Sequence, residues 1–215
     1  MSDGVAVAAY VGAEPITVAA VEERLAAMRS GPYAARLPHP GSAEGRNLRR
    51  WLVQLLATTA VLDQEAARLG LPAGGAPTSS GAAPRRRPAA ASAPGAAAPS
   101  GPAPPAAGPP DLARALRLGG VAASAAAAHP GVYAAVTAAV TVDEAQARDY
   151  WGRNRDRHPG PFPSCRAEIE DLLLRAARDR HFTRWLDGRC AELVRLSPGF
   201  EHPGDPAQPD HTHHH

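Results

Sequence analysis

Lysine is absent from this chain of 215 residues, and all 23 basic positions are arginine. We read this, with the abundance of Ala, Gly and Pro, as GC-rich coding bias rather than design. The arginines face 21 acidic residues, for a formal net charge of +2. No basic stripe emerges, which argues against a dedicated nucleic-acid binder. No stretch approaches the ~18 consecutive apolar residues that a membrane-crossing helix needs. The opening MSDGVAVAAYVGAEP has no basic start, and Gly12 and Pro15 break its apolar run, so it does not read as a targeting segment. The expectation is a cytoplasmic protein with no membrane partner. Its two cysteines, Cys165 and Cys190, are then reduced by default. There is no G-x-S-x-G elbow to carry a serine nucleophile.

Large apolar residues are also missing from Ala73 to Pro110, which is almost entirely Ala, Pro, Gly and Ser around Arg85-Arg86-Arg87. Such a segment cannot offset its ordering entropy by burial, so 73–110 reads as a disordered linker. A coil of that length spans ~35 Å on average, enough to cross a small domain. The remainder suits one core. Residues 1–72 and 111–198 are expected to complete one bundle, with 199–215 as a His-rich tail.

The folded parts read as mainly helical, with a small sheet of two or three strands. Val5 to Val11 reads as a strand, and EPIT as the start of a helix with Thr17 as N-cap. Residues 42–71 predict a long helix. Leu48, Trp51, Leu52, Leu55, Leu56, Leu62, Ala66 and Leu69 are its buried stripe, and Gly70 and Pro72 end it. DLARALRLGG, VAASAAAA and VYAAVTAAV read as short helices, and VDEAQ as a capped helix start. The longest helix is expected from an N-cap at Ser164, with LVRL leaving it as a short strand.

Three pieces, in this order, resemble the SurA/PrsA-type peptidyl-prolyl isomerase chaperones. They are VAAYVGAEPIT at 7–17, LDQEAARLGL at 62–71 and VTVDEAQARDYWGRNRDRH at 140–158, followed by a final helix. In that family a parvulin isomerase domain separates the last two elements. Here only nine residues lie between Asn154 and Ser164. The resemblance therefore implies the helical cradle that holds polypeptide, without isomerase activity. It also implies that the N-terminal strand pairs with LVRL, and that the last helix packs against the first two. The chain further resembles short SurA-like proteins encoded among actinobacterial natural-product genes, which implies an accessory role in a biosynthetic pathway.

Two functional readings follow. In the first, the chain is a non-isomerase, chaperone-like binding protein. Its cradle, with Trp51, Trp151 and Trp185 as groove candidates, takes a protein partner or a small apolar ligand, in a dimer or hetero-complex. In the second, the chain is a metal-dependent enzyme or metal carrier. His202, Asp210, His211, His213, His214 and His215 offer imidazole and carboxylate donors suited to a divalent transition metal (Cu, Zn or Fe). His158 and His181 are possible rigid partners for that tail, against a plain surface or loop reading. The tripeptide His-Pro-Gly recurs at 39, 129, 158 and 202, which is ordinary turn chemistry. Cys165, at a helix start, is the better candidate for a reactive thiol, against simple packing for both cysteines.

Overall fold

The computed structural model describes residues 6–32, 34–74, 120–202 and 205. Three antiparallel strands form a sheet of order β2-β1-β3: β1 Val7–Val11, β2 Glu14–Thr17 and β3 Val194–Leu196. The expected pairing of the first strand with LVRL is present, with Val11 opposite Val194 and Ala9 opposite Leu196. EPIT is a strand and not a helix start. Pro15 lacks an N–H, and β2 lies on the sheet edge, where that lack leaves no ladder bond unmade.

Six helices are described. α1 (Val18–Arg29) starts where the Thr17 hydroxyl accepts from the Ala20 N–H at 3.1 Å. α2 (Ala43–Arg68) starts in the same way from Ser42, which accepts from Gly45 N–H. α3 is Gly120–Ala128 and α4 Pro130–Thr137. Gly120, read as part of a helix stop, is helical; residues 111–119 lie outside the described residues, as does nearly all of the expected linker. α5 (Glu144–Arg153) carries a complete capping box between Asp143 and Gln146. α6 (Phe162–Leu193) begins two residues before the expected Ser164, with Pro161 at the N-cap. Pro163 lies in its first turn, where a missing N–H costs nothing.

α2 is the central element. The sheet and α1 pack on it, and so do α3, α4 and α6. Cover from several sides explains why its buried residues are not the single stripe expected. Val53, Ala57, Val61 and even Arg50 are buried, whereas Trp51 and Leu69 are exposed. Arg50 stays hydrogen-bonded there, donating to Asn47 Oδ1 and to the Gly199 carbonyl. α6 rests on α2, α4 and α5, whereas α1 packs on α2 and the sheet. The expectation that the last helix packs on both of the first two is met chiefly at α2.

The main core joins the sheet, α1 to α4 and the C-terminal half of α6 around Phe182, Leu52, Leu62 and Val61. A satellite core joins α5 to the N-terminal half of α6 through Ala147, Phe162 and Ile169. Among the described residues, no helix is long and apolar enough to cross a membrane.

Candidate functional site

The C-terminal end of α2 carries two buried polar contacts, at Glu65 and at His129. Glu65 is 1% exposed. It accepts from Arg68 Nε and Nη2 at 2.9 and 2.8 Å, and from Arg189 of α6. Burial alone would push its carboxyl up. The hydrogen bonds and charges of the two guanidinium groups outweigh this and hold it below the ordinary carboxylate range. The same pairing raises Arg189. Gly70 then ends the helix with φ +66°. Leu71 N–H reaches the Ala66 carbonyl and Gly70 N–H the Ala67 carbonyl, which is the Schellman arrangement. In LDQEAARLGL, the Glu and the Gly are thus a cross-helix tie and a helix stop.

Two residues before Glu65, Asp63 reaches across to His129, which caps α4. His129 Nε2 lies 3.0 Å from Asp63 Oδ1, and the ring is 3% exposed. Gly74 N–H donates to the same Asp63 oxygen. A Cβ at Gly74 would lie 2.2 Å from His129 Nε2, so only glycine lets the chain pass this close to the ring. His129 Nδ1 is buried and meets no hydrogen-bond partner among the described residues. A cavity of about 300 Å³ runs between Pro72–Gly74 and Ala127–Val132 beside it. The motif reading took His129 for a turn residue. Its only sequence signal was a histidine before a proline that opens a helix.

A second cavity, of about 160 Å³, lies between α1, α2 and α3. Arg24, Leu55, Leu56, Thr59, Ala125 and Ala128 stand in its wall, with Thr58 and Ser124. The lining is mostly apolar. Thr59 donates to the Leu55 carbonyl and Ser124 to the Gly120 carbonyl, so both hydroxyl protons are turned into their own helices. Trp51 stands one helical turn before Leu55 and is 40% exposed, the largest apolar side chain left open among the described residues.

The three tryptophans do not share a groove. Trp185 packs with Phe182 in the main core, ring centroids 5.7 Å apart. Trp151 belongs to the satellite core, where its Nε1 donates to the Gly160 carbonyl at 3.1 Å and Arg155 lies over its ring. Of the three, Trp51 is exposed, and Trp151 and Trp185 are half-buried. His158 lies in the loop between α5 and α6, as read, and is buried there, edge-on to Tyr150 at 5.9 Å. His181 is exposed, as read. His202 is exposed, and Asp210, His211, His213, His214 and His215 lie outside the described residues. Among the described residues, no three His, Cys, Asp or Glu groups stand close enough to hold a metal ion. Both cysteines are free on α6. Burial pushes the Cys190 thiol up, against a hydrogen bond with Thr58, which makes it a packing group. Cys165 packs half-buried in the satellite core.

Residues 7–44 match a family of unknown function, DUF7158. That span covers the β1–β2 hairpin, α1 and the first residues of α2. No curated protein and no solved structure matches the chain.

Proposed function

We propose that this chain is a SurA-like, non-isomerase accessory protein that binds an apolar group in the cavity between α1, α2 and α3. The observation that carries this reading is the cavity itself. It is enclosed by three helices, floored by Leu55, Leu56, Ala125 and Ala128, and flanked by the exposed Trp51. Ligand sites are concave and mostly apolar, with few polar groups to fix orientation, and this one fits that description. Its size sets the scale of the occupant. A dry cavity of ~150 Å³ takes benzene. The bound group is therefore one ring or a short chain, whether free or projecting from a partner polypeptide. The short connection between α5 and α6, from Asn154 to Pro161, leaves no room for an isomerase domain.

The test uses fluorine NMR of para-fluorotoluene, a neutral single ring. The full chain should broaden its resonance, and Ala128→Leu, which fills the cavity from the end of α3, should restore the free line. Circular dichroism of the variant checks that the helices persist. Absence of broadening with the wild-type chain would sink the reading.

A further inference from the structure

The cavity between α1, α2 and α3 holds one polar feature that its apolar walls do not explain. Arg24 stands in the wall, half-buried, with no carboxylate partner among the described residues. Of the neighbouring acids on α1, Glu22 is paired with Arg49 at 2.7 Å and Glu23 is exposed to solvent. The cavity hydroxyls of Thr59 and Ser124 already donate to backbone carbonyls, and Thr58 is engaged with Cys190. The one uncommitted donor set facing this space is a guanidinium. The Arg24 nitrogens are not among the buried atoms left without a partner, so the guanidinium at the mouth of this apolar cavity is open to water and free to take an anion in its place. A guanidinium answers a planar carboxylate best, through two parallel hydrogen bonds.

We propose that the ligand of this cavity is a small monocarboxylic acid, its single ring or short chain among Leu55, Leu56, Ala125 and Ala128 and its carboxylate on Arg24. This deepens the reading given above and rests on it. The apolar end follows from the volume and the charged end from the unanswered arginine. Both ends are needed. A carboxylate with neither ring nor chain leaves the cavity empty, and a ring without a carboxylate leaves Arg24 as it is. The rest of the lining offers no second charged group.

Fluorine NMR titration of the full chain compares para-fluorophenylacetate with para-fluorophenylacetamide, which has the same ring and no charge. The acid is expected to bind about tenfold more tightly, the size of one charge-assisted hydrogen-bonded contact. Arg24→Gln, at a half-buried position, should bring the acid down to the affinity of the amide. The same variant should leave the amide and para-fluorotoluene unchanged. Equal binding of acid and amide by the wild-type chain would overturn the carboxylate while leaving the apolar cavity standing. An acid preference that survives Arg24→Gln would also overturn it, because the anion would then sit elsewhere. Failure of all three probes to bind would overturn both readings together.

Discussion

The main core and the satellite core are built from the same long helix and solve burial differently. Around Phe182, the C-terminal half of α6 meets α2 and α4, and polar groups go inside with their partners. Glu65 is answered by Arg68 and Arg189, and the Tyr133 hydroxyl donates to buried Asp179 at 2.8 Å. Around Ile169, the N-terminal half packs on α5 among the described residues; His158 is buried beside Tyr150 there, but the arginines stay at the rim. Arg148 and Arg155 lie over the rings of Phe162 and Trp151 rather than between helices. A core closed on several sides can afford buried ions, since other helices supply their counter-charges. A two-helix contact has no third wall, so aromatic faces and arginine stems serve as its lid.

This contrast can be tested from its largest expected effect downward. Phe182→Ala removes a fully buried ring stacked on both Tyr133 and Trp185, and should cost about 3–5 kcal/mol in urea unfolding. Ile169→Ala should cost about 2–4 kcal/mol at most, and locally. Amide exchange should accelerate along α5 while β1 keeps its protection. Equal loss at β1 would show that the two cores unfold as one unit and erase the distinction drawn here.

Glu65→Gln should cost about 1–3 kcal/mol, since two arginines lose a charged acceptor in the interior. Its pH dependence has a definite sign. The folded carboxyl lies below its usual value of 4.5, so its stabilisation is present above that pH. It is lost as pH falls through the folded value. The wild-type chain should therefore lose stability on acidification below pH 4.5 more steeply than Glu65→Gln. Parallel acid limbs would show that the Glu65 charge contributes nothing. The smallest effect is expected from a chain ending at Pro209, whose unfolding free energy should stay within ~0.5 kcal/mol of that of the full chain. Elemental mass spectrometry on the same pair reads the metal question directly. Stoichiometric metal lost with residues 210–215 would establish the tail as a site, and equal content would remove it from consideration.

Much of this architecture was legible because local chemistry wrote it. Thr17, the VDEAQ capping box and Gly70 each mark a helix end through hydrogen bonds to neighbours within a few residues. What was illegible depended on distant partners. His-Pro-Gly occurs four times, yet His129 and His158 are buried while His39 and His202 are exposed. The tripeptide sets a turn, and the packing around it decides burial. Asp63 and His129 are 66 positions apart, with no periodic signal joining them. Trp51 was read into the buried stripe of α2 and is exposed, because helical spacing tells which residues share a face but not how far a neighbouring helix extends along it.

The pairing of β1 with β3 bears on how the chain is made. The hairpin of β1 and β2 is synthesised almost at once, but the strand that completes the sheet lies at 194–196. At ~5–20 residues per second, the ribosome takes on the order of 10–40 s to reach it. Until then β1 has one open edge, and Glu65 has Arg68 but not Arg189. The main core therefore cannot close before the C-terminal half of α6 and β3 have been made. A nascent chain stalled before residue 189 would expose a sheet edge, and a carboxylate with one of its two arginines, to whatever escorts polypeptide in the cell.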